Sequence, residues 1–169
     1  DEANNNLEDP AVVTRAPSDL QVTSVAASGS PFSGETTTVT WSVTNTGAEV
    51  WTATRFWYDA IWISQDSTFD RNRAQRLGVK AHSNATPLSS GGSYTESLEV
   101  NVPAGFDGEY YLHVITDAGD SRFQSPQEER FSGGFNSSAL TLYSRSVFEE
   151  FRSDNNVGQG TVSITYSEP

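Results

Sequence analysis

Three oxygen-bearing side chains stand within seven residues in "DSTFDRN", where Asp66, Asp70 and Asn72 share one short connection. Carboxylates and amide oxygens at such spacing can hold Ca²⁺, a hard cation that takes six to eight oxygen ligands. The order differs from the Asp-x-Asp-x-Asp-Gly of an EF-hand loop, and Arg71 and Arg73 interleave with the acids. The competing reading is a capped turn, in which Asp side chains accept bonds from nearby backbone N–H groups. A second acidic group comprises Asp117, Asp120, Glu149, Glu150 and Asp154. A structural Ca²⁺ at either group is one expectation of the sequence.

Catalytic constellations are harder to find. The two histidines, His82 and His113, stand in no Ser-His-Asp, His-x-x-x-His or Gly-x-Ser-x-Gly setting. No catalytic residue is assigned, and the chain is read as no enzyme. Aromatic side chains offer a different chemistry. Trp51, Trp62, Phe123, Phe131, Phe135 and Tyr143 fall outside the expected core, where they could stack on sugar rings or meet a neighbouring subunit. Asp59 is unusual because it shares the parity of Trp57, Ile61 and Ile63, and so turns towards the apolar side of its strand. A carboxylate there needs a partner, and Arg55, Arg76 or backbone donors could serve.

The elements that must position these groups are strands. "TTTVTWSVTN" alternates, with Val39, Trp41 and Val43 on one face and Thr38, Thr40, Ser42 and Thr44 on the other. Similar runs occur in "DLQVTSVAA", "WYDAIWIS", "SYTESLEVNVP", "EYYLHVITD" and "GTVSITY", separated by turn signals such as Asn45-Thr46-Gly47 and Gly91-Gly92. "SRSVFEEF" is the one fair helical candidate. The pattern predicts an all-β fold, an antiparallel β-sandwich. "FDGEYYL" adds a tyrosine-corner pattern in which the Tyr110 hydroxyl would bond backbone a few residues upstream; the alternative is a plain core aromatic.

Composition narrows the setting. Ten Lys and Arg face 22 Asp and Glu, a formal charge of −12, the wrong sign for binding nucleic acid. Cysteine and methionine are absent, which removes disulfides and Cys-based sites. No apolar run is long enough to span a membrane as a helix. The acidic, Thr/Ser/Asn/Gly-rich chain reads as a secreted or cell-surface module of a bacterium or archaeon. Two sequons, at Asn84 and Asn136, are candidate glycosylation sites.

In order, "PSDLQVTSVAAS", "SGETTTVTWSVTNTGA", "WYDAIWISQDSTFD", "GSYTESLEVNVPAGFDGEYYLHVITD" and "VFEEFRSDNNVGQGTVSITYSEP" resemble the CARDB family of cell-adhesion-related domains, over residues 17–117 and 147–169. The resemblance implies an immunoglobulin-like sandwich of about seven strands, a non-catalytic building or adhesion unit common in arrays. Residues 118–146 depart from the family pattern as an insertion before the last strand. The chain thus divides into an extension, 1–16, and a sandwich, 17–169.

The extension holds a further signal. "EANNNLEDPAVVTRAPSD" resembles "SDNNVGQGTVSITYSEP", each running from an Asn cluster through a Val/Thr stretch to a proline. It reads as the tail of a preceding repeat, as a strand lent to a neighbouring copy, or as coincidence. For a lent strand, Pro10, Val12 and Val13 would form the inter-subunit contact. The expected partners are therefore neighbouring copies or adjacent repeats, with a surface polysaccharide as the alternative.

Overall fold

The computed structural model describes residues 16–118, 155–166 and 168. Among the described residues seven strands alternate with turns: β1 Leu20–Ala27, β2 Thr36–Asn45, β3 Phe56–Ser64, β4 Gln75–Ser83, β5 Ser93–Asn101, β6 Gly108–Ile115 and β7 Val157–Ile164. They form a three-stranded sheet, β1-β2-β5, and a four-stranded sheet, β4-β3-β6-β7, with every neighbouring pair antiparallel. The all-β sandwich is as expected, and the last strand begins three residues earlier than its sequence pattern suggested.

Alternation builds the core directly. Val39, Trp41 and Val43 of β2 face Trp57, Ile61 and Ile63 of β3 and Leu112 and Val114 of β6, all fully buried or nearly so. Side chains of two stacked sheets interdigitate across about 10 Å, so each strand gives every second residue to one apolar layer. A bulge between Val22 and Ser24 shifts β1 by one residue, and Val25 and Ala27 join Leu20 and Val22 against the core. A one-residue insertion of this kind reverses the facing of every later side chain in the strand.

β4 is hard to read in the sequence because its pattern is inverted. Lys80 and His82 point towards β5, whereas Val79 on the opposite face is exposed. A second bulge, between Ile61 and Trp62, turns Leu77 to the core beside Gly78. The polar inward residues suit their place at a sheet margin, where Lys80 Nζ reaches Ser97 O of β5 (2.9 Å) and Glu96 Oε2 (2.7 Å). At the other margin β1 lies on β7 so closely that a methyl at Gly158 would meet the Val22 side chain, and one at Gly160 the Val25 carbonyl oxygen. Only glycine permits that approach.

β1 and β7 run the same way along this margin, since Val22 meets Gly158, Val25 meets Gly160, and Phe32 bridges Thr165 in parallel. The chain therefore comes in at one end of the sandwich, the proximal pole at Pro17–Asp19, and leaves at the opposite, distal pole near Tyr166. Eight residues of β7 separate the poles by about 23 Å at about 3.3 Å per residue.

Candidate functional site

A polar chain runs from the core to the β4–β5 margin. Asp59 is 1% exposed, and its Oδ2 accepts from Trp41 Nε1 (2.7 Å) and from the Tyr94 hydroxyl (2.8 Å). The Tyr94 oxygen also accepts from Trp57 Nε1 (3.0 Å) and lies 3.1 Å from Thr116 Oγ1. His82 stacks on the Tyr94 ring at 3.6 Å, and its Nδ1 lies 3.2 Å from Glu96 Oε1. Burial raises the Asp59 pKa above the ordinary carboxylate value, with the bonds from Trp41, Thr116 and Tyr94 opposing it. Burial also raises the Tyr94 phenol, reinforced by the charge of Asp59. Burial pushes Glu96 upward as well, but bonds from Lys80 and His82 prevail and its pKa is lowered. The partners of Asp59 are thus neutral groups of the core, Trp41 and Tyr94 foremost, not Arg55 or Arg76; Arg76 instead lies over the Trp62 ring. The network cross-links both sheets: Trp41 and Tyr94 come from one, Asp59 and Thr116 from the other.

The proximal pole is organised by Asn45, wholly buried at the end of β2. Its Oδ1 accepts from Asp19 N and Gly47 N (both 3.1 Å), while Nδ2 donates to Ala48 O (2.7 Å) and approaches Leu88 O and Ser89 O (both 3.3 Å). Five contacts to three segments tie the incoming chain to two loops. Asn84 does the same for the adjoining loop, donating to Trp51 O (2.9 Å) and Thr54 O (2.8 Å) and accepting from Leu88 N (3.2 Å). At this candidate glycosylation site the amide nitrogen is thus engaged within the fold, and the residue is only 4% exposed. Neither asparagine is recognisable as a hub from composition or alternation, although Val-x-Asn-x-Gly marks the first.

The Asp66–Asn72 connection is a capped turn. Asp66 N donates to Ser64 Oγ (2.9 Å), Asn72 N to Asp70 Oδ1 (2.9 Å), and Arg73 Nε lies 3.1 Å from Asp66 Oδ2. The turn folds over the outer face of β3 and β6, where His113 is buried, its Nε2 3.0 Å from Asp66 O and its ring 5.5 Å from Phe69. Burial lowers the His113 pKa, against the opposing bond to that carbonyl. Among the described residues no group of three or more His, Asp or Glu could hold a metal ion. Asp117, two residues past the end of β6, is buried in a left-handed conformation with φ 48°. Asp120, Asp154, Glu149 and Glu150 lie outside the described residues.

Of the aromatics, Trp51 is 37% exposed at the proximal pole. Trp62 is only partly open, flanked by Arg71 (5.8 Å), Arg76 (6.0 Å) and the Phe69 edge (5.6 Å). Phe123, Phe131, Phe135 and Tyr143 fall outside the described residues, as do Asn136, Pro10, Val12 and Val13. Tyr110 is the plain core aromatic of the two readings: it is buried, stacked on Phe106 at 4.5 Å, and its hydroxyl accepts from Gln65 Nε2 (3.2 Å). The distal pole carries Phe32 and Tyr166, 46% and 47% exposed.

Comparison with solved structures finds the CARDB domain of a Pyrococcus furiosus protein, solved in complex with di-metal ions, similar at a TM-score of 0.52 and 14% identity. The match covers 91% of this chain and 99% of that one, a likeness of fold. β-Glucosidase 3B from Thermotoga neapolitana, solved with α-D-glucose, matches over 60% of this chain and 14% of its own, at a TM-score of 0.42 and 19% identity. Among curated proteins nothing matches. Residues 17–122 match the CARDB family, more than half of the chain and six of its seven described strands. With that match and the sandwich it covers, the chain belongs to the CARDB family, a family of cell-adhesion-related domains in bacteria.

Proposed function

We propose that this domain is a non-catalytic, extracellular building block of a surface array or filament, joined end to end with copies or repeats of itself. The observation that carries the reading is the parallel course of β1 and β7 along one margin, which brings the chain in at one pole and out at the other. A unit threaded in this way lengthens a row with each repeat and transmits load along its strands. Exposed Phe32 and Tyr166 at one pole and Trp51 at the other give each end an apolar contact for its neighbour. Both histidines serve in packing, His113 under the capped turn and His82 between Tyr94 and Glu96, which supports a structural over a chemical role.

The strand-lending version has a narrower opening. β7 fills the last core slot with the chain's own residues, so a lent strand comprising Pro10, Val12 and Val13 would add at a sheet edge. Deleting residues 1–16 tests it: the truncated domain should fold and lose assembly. Coincident monomeric size-exclusion profiles of both forms would remove this joint. Fibres that disappear while a glycan array lights up would favour the polysaccharide-binding alternative.

A further inference from the structure

β1 and β2 carry no charged residue, in a chain of which 19% is charged and whose net charge is −12. Their outward side chains, with those of β5, make one even face. Ser24, Ser42 and Thr95 stand in register across the three strands, and Ala26, Thr40 and Ser97 form the next row. All are exposed except Ser42, which is half-buried. The hydroxyls are partly bonded to one another: Ser42 Oγ lies 2.8 Å from Thr95 Oγ1, and Thr44 Oγ1 lies 2.8 Å from Ser93 Oγ. A hydroxyl already held in this way gives up less on leaving water.

Charges stand at the ends of this face and on the other sheet. Asp19 marks its proximal end, Glu35 and Glu99 its distal end. The other sheet shows Glu109 and Arg76 outward, both exposed. Copies of an acidic chain repel one another wherever carboxylates meet. An uncharged face laid on its own copy escapes that repulsion, and a two-fold contact brings such a patch against itself. Sheets packed face to face keep their strands within about 30° of each other, which aligns the long axes of the two units.

We propose that this hydroxyl face of β1, β2 and β5 is a lateral contact with a second copy of this chain. The inference rests on the array reading above for its supply of neighbours, and adds how units stand side by side. Eight residues at about 3.3 Å and three strands about 4.8 Å apart span about 26 by 14 Å, roughly 400 Å² on each copy. Two such faces fall below the about 1,200 Å² of a stable pair, so a single contact is weak. Contacts repeated along two rows add, and hold the rows together. Salt identifies such a joint: it screens the repulsion between the net charges and finds no ion pair to weaken, so it tightens the contact.

Amide NMR spectra of the intact chain over a dilution series, at low salt and at about 0.5 M, test this. Concentration-dependent shifts centred on Thr40, Ser42 and Thr95 are expected, larger at the higher salt. Thr40→Glu and Thr40→Lys should each weaken the association about tenfold or more, and mixing the two variants should restore it. Thr161→Glu, at an exposed position on the other sheet, should leave it unchanged. Circular dichroism checks that each variant is folded. In micrographs, wild-type rows should lie paired or bundled and Thr40→Glu rows singly. Shifts confined to the poles, around Trp51 and Tyr166, overturn the proposal while the end-to-end reading stands. Shifts on the hydroxyl face without any rows support the lateral contact and remove the end-to-end joint. Association that weakens with salt overturns the proposal in favour of an ionic contact. Shifts of these amides by laminarin, a neutral glucan, with none on dilution, overturn it in favour of a polysaccharide. Spectra indifferent to both concentration and laminarin overturn it as well.

Discussion

Replacing Asp59 by alanine removes an acceptor by which one sheet holds two side chains of the other. Trp41 Nε1, at 2.7 Å, loses its partner inside the core, and a buried N–H left unmatched costs about 1–3 kcal/mol. Tyr94 loses a charge-assisted bond of 2.8 Å but keeps Thr116 and Trp57, so its share is nearer about 1 kcal/mol. Together the loss is about 2–4 kcal/mol, or roughly 5–15 °C in melting temperature for a domain of this size. Asp59→Asn retains an acceptor oxygen and should cost distinctly less. The pH dependence separates the two roles of the group. Its folded pKa is raised, so the folded state holds the proton more tightly than the unfolded chain. Its contribution is therefore most favourable below the ordinary carboxylate range and is lost as pH rises through the folded value. Glu96, with a lowered pKa, contributes in the opposite sense, its share being lost as pH falls. Urea titrations from pH 3 to 8 on wild type, Asp59→Asn and Asp59→Ala read these effects. Asp59→Asn should abolish the component of the slope that falls with rising pH. An alanine variant as stable as wild type, or an asparagine variant no better than alanine, would refute the argument that this carboxylate joins the sheets as an acceptor.

The same geometry makes other outcomes specific. Gly160→Ala sets a methyl against the Val25 carbonyl and should cost about 1–3 kcal/mol, seen as a lower urea midpoint with unchanged m-value. Asn45→Ala removes the hub at the proximal pole and should destabilise by about 2–4 kcal/mol, with hydrogen exchange rising first in residues 17–20 and 46–48. Mass spectrometry of chain secreted from a glycosylating host should find Asn84 unmodified, because its amide nitrogen already bonds Trp51 O and Thr54 O. Chelator should leave the melting temperature of an Asp70→Ala, Asn72→Ala variant and of wild type shifted equally, since that turn is closed by Ser64, Asn72 and Arg73; a chelator effect lost in the variant would place an ion there.

The strands that cross the middle of the sheets are legible in the sequence because each gives alternate residues to a dry layer, as Val39, Trp41 and Val43 do. Asp59 is legible for the same reason: its parity alone puts a carboxylate in the core. Its partners are not, since Trp41 and Tyr94 are 18 and 35 residues away and meet it only across the sandwich. β4 is hidden because a margin strand can turn Lys80 and His82 inward, where they reach Glu96 at the open side, so its hydrophobic face does not mark its buried one. The setting of Asn84 is hidden for a related reason: a sequon is defined by three adjacent residues, but what its amide meets in the fold is set by carbonyls 30 and 33 residues upstream. The arginine pair on Trp62 is likewise invisible to local pattern, because the bulge at Ile61/Trp62 decides which side chains share that face.

Electron microscopy of the purified intact chain tests the central claim most directly. Rows of particles joined along the long axis of the sandwich, pole to pole, are the predicted result. Single separate particles at every concentration, in a preparation where the domain is folded, would contradict it.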